Sequence, residues 1–213
     1  MTGSNTPAKF VTLEGGEGAG KSTSREFIVS LLVDHEVPFI QTREPGGTPI
    51  GEALRELLLS KEGTAPSVTT ELLMVFAARA QHLHEVIEPA LRQGLWVLCD
   101  RFTDATYAYQ GHGRGFDLGE IESLETLVQR GRQPDLTLLF DIDPKLGMAR
   151  ARQRAELDRF EEEQLEFFER VRAGYLNRAE HDARFQIIDA SQSIDAVQHS
   201  LREVLVPLLS NRS

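Results

Sequence analysis

The sequence predicts an α/β protein, a five-stranded parallel sheet with helices on both faces. Three observations predict it. Five short runs rich in β-branched or aliphatic residues alternate with longer stretches of helical periodicity, the pattern of repeated β–α–β units. One of those runs, Leu95–Cys99, is continuously apolar, as a strand covered on both faces must be. A glycine-rich segment ending in a lysine joins the first run to the first helical stretch, where such sheets hold anions.

The elements follow in order. Phe10–Leu13 reads as the first strand. Lys21 to about Val33 reads as a helix, with Phe27, Ile28, Leu31 and Leu32 on one face. Phe39–Thr42 is the second strand. Gly51–Leu59 is a helix with Leu54, Leu57 and Leu58 turned inward. Thr70 to about Gln93 reads as one long helix bent at Pro89, because proline lacks an amide hydrogen. Leu95–Cys99 is the third strand. Leu118–Arg130 is helical, Leu136–Phe140 a strand, and Pro144–Arg154 a helix with proline in its first turn. Glu161–Ala179 is a helix, Phe185–Ile188 the fifth strand and Ile194–Leu209 the last helix. Crossovers between parallel strands are expected to be right-handed.

Composition narrows the class. The 213 residues suit one sizeable domain. With 40% hydrophobic and 26% charged residues, whole-chain disorder, collagen and coiled coil are all disfavoured. The lone cysteine, Cys99, forms no internal disulfide, and a cytoplasmic setting is expected. A net charge of −10 argues against a general nucleic-acid partner. Of the 23 basic residues only Lys9, Lys21, Lys61 and Lys145 are lysines. Arginine forks grip phosphate oxygens in pairs, so a small phosphorylated ligand is one reading of this skew. An arginine-rich codon usage is the other. No export signal or membrane span is expected. Residues 1–8 read as a flexible tail, and 9–213 as a single domain.

Gly15-Gly16-Glu17-Gly18-Ala19-Gly20-Lys21-Ser22 matches G-x-x-x-x-G-K-[ST]. A strand leads in and a helix leads out, the context this phosphate loop requires. Glycines let backbone amides turn toward phosphate oxygens without an obstructing Cβ. Lys21 reaches terminal phosphates and the Ser22 hydroxyl is placed for Mg²⁺. The expected ligand is a nucleoside triphosphate. The N-K-x-D segment of a base-reading GTPase is absent from the sequence.

Other residues gather at the same sheet edge. Asp100-Arg101 follows the third strand, with Asp100 placed for a metal and Arg101 for a phosphate; a structural ion pair is the plainer reading. Arg43-Glu44-Pro45-Gly46-Gly47-Thr48 follows the second strand, as a turn or as a ligand loop. Phe76 and Arg79 share a helix face. They suit a stacked and hydrogen-bonded base, or plain core. Gln110 suits an amide-like base edge and Tyr109 the space beside a sugar. Gly111, Gly113 and Gly115 suggest a flexible stretch. Arg150, Arg152 and Arg154 precede Leu157-Asp158-Arg159-Phe160-Glu161. This charged segment reads either as a solvated helical pair or as a lid over about 150–162. His82, His84 and His112 form no defensible metal or acid–base set.

The segments FVTLEGGEGAGKS, TREPGGT, LCDRF, AYQGHGRG, QPDLTLLFD and LDRFE, in this order and spacing, resemble the thymidylate kinase family. The resemblance spans residues 9–209. It implies a P-loop nucleoside monophosphate kinase-like fold and phosphorylation of dTMP to dTDP by ATP and Mg²⁺, in the supply of dTTP. It also implies a homodimer. Carried residue by residue, it implies that Gly15, Gly16, Glu17, Gly18, Ala19, Gly20, Lys21, Ser22, Thr23 and Arg150 hold ATP. Glu17, Arg43, Glu44, Pro45, Phe76, Arg79, Arg101, Thr106, Tyr109 and Gln110 would bind dTMP. Ser22 and Asp100 would serve the metal. Lys21, Arg101, Arg154 and Arg159 would act on the transferring group, as in the subtype whose catalytic arginine sits in the lid rather than in the phosphate loop. Val75 stands where many members carry the stacking aromatic.

Overall fold

In the computed structural model, the described residues are 8–61, 64–152, 160 and 163–210. Arg154, Arg159, the larger part of segment 150–162 and residues 1–7 of the expected tail lie outside them. The five strands are β1 (Phe10–Glu14), β2 (Phe39–Arg43), β3 (Trp96–Asp100), β4 (Leu136–Asp141) and β5 (Phe185–Asp189), all parallel, in the order β2-β3-β1-β4-β5. The nine α-helices among the described residues are α1 (Lys21–Asp34), α2 (Pro49–Leu59), α3 (Val68–His82), α4 (Glu88–Arg92), α5 (Thr103–Thr106), α6 (Leu118–Gln129), α7 (Pro144–Ala151), α8 (Leu165–His181) and α9 (Ile194–Ser210).

Period-two alternation sends side chains to opposite sheet faces. On one face, Val11 and Leu13 of β1 and Leu136, Leu138 and Phe140 of β4 pack with α1 and α9 through Ile28, Leu31, Leu201 and Leu205. On the other, Phe10, Val97, Cys99 and Phe102 pack with Leu83 and Ile87. Beside them Leu139 and Phe185 meet Phe167, Val171 and Tyr175 of α8. Register pairs Leu13 and Arg43 both with Asp100. The loops after β1, β2 and β3 therefore open at one sheet edge.

Leu57 of α2, expected to turn inward, is exposed instead, and two further expectations need correcting. The long helix of residues 70–93 is three pieces: α3, a π-helical stretch over Leu83–Ile87, and α4. Pro89 has no amide hydrogen to give the Glu85 carbonyl, and the turns ahead of it widen to i→i+5 bonding. The second correction is the stretch expected to be flexible. Thr103–Thr106 is helical and Tyr107–Gly113 continues it as π-helix, buried except for Ala105 and His112. Its glycines are contact points. A Cβ on Gly113 would lie 2.7 Å from the Phe167 ring. Low helix propensity at Gly111 and Gly113 hid an element that packing on α8 sustains.

Under that element lies a polar knot. Asp104 is fully buried and accepts from Arg178 Nε at 2.5 Å and from Arg184 Nη1 and Nη2 at 2.6 and 2.7 Å. Arg184 also donates to Thr137 Oγ1 at 2.6 Å, which lies 2.9 Å from Thr12 Oγ1. Removing one partner of a buried charge cluster strands the others in low dielectric. Asp104→Ala should lose about 3–5 kcal/mol of stability. Urea unfolding checks this, and a loss below about 1 kcal/mol would mean water reaches the stranded guanidinium groups.

Candidate active site

The phosphate loop is built by strain-free glycine geometry. Gly15 has φ +138°, and a Cβ there would sit 2.5 Å from the Phe140 carbonyl oxygen. Gly18, at φ +70°, lies directly against the Gly147 carbonyl, with no room for a side chain. The loop thus drapes between β1 and α7, and its end aims the α1 N-terminus into a cleft. Glu17, Gly18, Ala19, Gly20, Lys21 and Ser22 line that cleft. Lys21 Nζ donates to the carbonyls of Gly15 and Gly16 at 3.0 and 3.1 Å. Burial, then the nearby Arg101 guanidinium, holds its ammonium below the ordinary lysine range. Thr23 is exposed in the first turn of α1.

Arg101 follows β3 in the left-handed region, φ +69°. That turn swings its side chain back over the phosphate loop. Nη1 donates to the Gly15 carbonyl at 3.1 Å and to the Tyr175 hydroxyl at 3.2 Å; Nη2 donates to Glu17 Oε1 at 2.5 Å. The guanidinium lies 4.8 Å from the Tyr109 ring centroid, and the Tyr109 hydroxyl donates to the same Glu17 oxygen at 2.9 Å. Behind it, the Tyr175 hydroxyl donates to Glu14 Oε2 at 2.8 Å, while Glu14 Oε1 accepts the Phe102 amide at 2.7 Å. Burial, with Asp104 adding repulsion, pushes the Glu14 carboxyl up to about 8.

The loop after β2 supplies the opposite wall. Arg43 pairs with Glu52 Oε2 at 2.7 Å and donates to the Pro45 carbonyl at 3.0 Å. Arg55 of α2 donates to that same carbonyl at 3.1 Å and lines the cleft. Glu44 accepts from Arg79 Nε at 2.7 Å, and its other oxygen lies 2.9 Å from His82 Nδ1. His82 Nε2 is 2.6 Å from Thr42 Oγ1. Glu44 therefore holds Arg79 and His82 in place, and His82 is structural. Arg79 also donates from Nη2 to Thr106 Oγ1 at 3.0 Å, and its buried Nη1 has no hydrogen-bond partner. Gln110 donates from Nε2 to Glu71 Oε1 at 2.9 Å.

The cleft brings together Glu17, Lys21, Ser22, Arg43, Glu44, Pro45, Arg79, Asp100, Arg101, Thr106, Tyr109 and Gln110. Phe76 does not line it. Its ring is 2% exposed and packs with Leu72, Tyr107 and Ile121, with Arg79 over its face at 4.9 Å. One residue along, the helix turns by about 100° and Val75 faces the cleft instead. Arg150 also lies off the cleft wall, donating to the Ala190 carbonyl at 2.8 Å.

Several cleft or supporting residues escaped the sequence reading: Arg55, Phe102, Glu14, Tyr175 and Glu71. Arg55 carried a usable signal, since Leu58 and Leu59 at i+3 and i+4 line the same cleft. Tyr175 is 161 residues from its partner Glu14, and no local pattern joins them.

A family model described as thymidylate kinase matches residues 13–201. The chain belongs to the thymidylate kinase family. Curated relatives carrying that name agree along nearly their whole length. The one from Teredinibacter turnerae is 57% identical over 202 residues, covering 94% of this chain and 98% of its own. Those from Pseudomonas putida strain GB-1 and Hahella chejuensis are each 54% identical, covering 95% and 94% of this chain and 97% of their own. As a thymidylate kinase family member the chain is an enzyme, a phosphotransferase with ATP as co-substrate. No helix among the described residues is long and apolar enough to cross a membrane.

Proposed function

We propose that the chain transfers the γ-phosphoryl group of ATP to the phosphate of dTMP, giving dTDP and ADP. One observation carries this reading. A single cleft runs from the phosphate loop, past Asp100 and Arg101, to a pocket walled by Arg43, Arg79, Tyr109 and Gln110. Two anionic nucleotides meeting end to end need such a cleft. Membership of the thymidylate kinase family supports the acceptor's identity.

The acceptor oxygen of a monophosphate is already ionised, so no strong base is needed. Positioning and charge neutralisation do the work. The phosphate loop orients the donor and Lys21 takes its terminal charge. Arg101, clamped from three sides, presents a fixed positive charge between donor and acceptor. Arg43 and Arg55 provide the acceptor phosphate with a cationic wall, and Arg79, Tyr109 and Gln110 face the nucleoside. Arg154 and Arg159 are proposed, on resemblance, as further guanidinium groups at the transferring phosphoryl, and Arg150 as an ATP contact. Residues about 150–162 are proposed as a lid on a single domain 9–213.

A divalent cation fits the cleft. Asp100 Oδ1 is buried without a hydrogen-bond partner, and the exposed Ser22 hydroxyl lines the same space. Among the described residues no cluster of three or more carboxylate, histidine or cysteine side chains could hold a metal alone. Mg²⁺ suits that donor set, because it retains waters and borrows phosphate oxygens. It would screen phosphate charge. Asp100→Asn should raise the Mg²⁺ concentration giving half-maximal activity by about tenfold or more. An unchanged magnesium titration removes Asp100 from the set.

The lone buried Cys99 supports a reducing, cytoplasmic setting. Exposed Ile50 and Leu57 on α2 and Leu73 on the neighbouring α3 support a homodimer. ADP release with ATP and each of dTMP, dUMP, dCMP, dGMP and AMP tests the activity. Acceptor-dependent release with dTMP foremost is expected. Slow hydrolysis indifferent to every acceptor would point to a nucleotide-gated switch instead.

A further inference from the structure

We propose that Glu71, which does not line the cleft, is a positioning residue that fixes which face of the Gln110 amide the nucleobase meets. The inference rests on dTMP being the acceptor. Glu71 is 1% exposed, and its Oε1 accepts from Gln110 Nε2 at 2.9 Å and lies 3.5 Å from Arg114 Nε. An ionised carboxylate has no hydrogen to give, so it binds only the NH₂ end of an amide. Arg114 faces the same carboxylate oxygen. Its guanidinium is wedged over the Phe167 ring at 4.8 Å and also pairs with Glu163. With the NH₂ end committed, the end of Gln110 left for the cleft is the carbonyl oxygen, an acceptor.

That acceptor has a complementary neighbour. Arg79 Nη1 is buried, has no partner and belongs to a cleft-lining side chain. One donor and one acceptor on the nucleoside wall match the edge of an imide base, which offers a carbonyl oxygen beside an N3–H. Thymine and uracil carry that edge. Cytosine inverts it, with an amine in place of the carbonyl and an unprotonated N3, and would leave both protein groups facing their own kind. Buried polar groups left unpaired are what make such sites reject an inverted analogue. Glu71 thereby sets the base class without touching the base.

Glu71→Gln tests this. A glutamine side chain in place of the carboxylate presents either end to Gln110, so the Gln110 amide is free to turn. The ratio of kcat/KM for dTMP over dCMP should fall by about tenfold or more. The dTMP over dUMP ratio should stay constant, since both bases share the imide edge. Should the single variant fold poorly, the swap Glu71→Gln with Gln110→Glu conserves charge and hydrogen bond. A carboxylate at position 110 offers only acceptors, so the swap should retain the dTMP over dCMP preference. Two ratios that do not move in Glu71→Gln, two that fall together, or a swap that loses the preference would each overturn the role of Glu71. Absence of dTMP-dependent ADP release from the unaltered chain would instead defeat the acceptor assignment.

Discussion

Lys21→Ala should lower kcat by on the order of 10³-fold while the chain stays folded. The ammonium sits at the junction of loop and helix, bonded to the Gly15 and Gly16 carbonyls. It is half-buried beside Arg101, in surroundings where a positive charge is costly. A triphosphate gives that charge its compensating partner, and the charge is worth most when negative charge moves between donor and acceptor. The loss should thus appear in kcat more than in the KM for dTMP, whose contacts lie across the cleft. The fold should tolerate the change, because the Lys21 hydrogen bonds reach only loop carbonyls at the cleft. Initial rates of ADP release, with far-ultraviolet circular dichroism for the fold, check both halves. Near-normal turnover would count heavily against phosphoryl transfer in this cleft.

Arg101→Ala should be comparably severe, lowering kcat by about 10²–10³-fold. Arg101→Lys should rescue little of it. The reason is geometric: the Gly15 carbonyl, the Tyr175 hydroxyl and Glu17 are held at once by one planar fork lying on the Tyr109 ring. An ammonium supplies charge but neither the fork nor the stacking face. The Arg101 backbone at φ +69° is unfavourable for a non-glycine residue and persists because these contacts over-determine it. Rates of the unaltered enzyme, Arg101→Lys and Arg101→Ala at saturating ATP and dTMP measure the effect. Full recovery in Arg101→Lys would show that Arg101 acts as a point charge only.

The sheet edge was legible because its signals are local. Gly15 to Ser22 must be glycine-rich to wrap a phosphate, and Asp100 and Arg43 end strands whose apolar runs are plain. Phe76 was not legible, because choosing between it and Val75 depends on the rotation of α3 about its axis, which Leu72 and Ile121 settle from outside the motif. Gly111 and Gly113, read as part of a flexible stretch, misled for a related reason. Glycines that look like freedom in a string are, against Phe167 and Leu118, the places where helices come closest.

The sequence by itself determined the α/β alternation, the phosphate loop and most of the cleft-facing residues, since periodicity and short motifs are properties of neighbours along the chain. Tertiary structure alone decided what those residues are committed to. It gave Glu44 to Arg79 and His82, Gln110 to Glu71, and Arg101 to a clamp ending on Tyr175 and Glu14. Such partners lie tens to more than a hundred residues apart, and only burial in a shared low-dielectric interior obliges them to find one another.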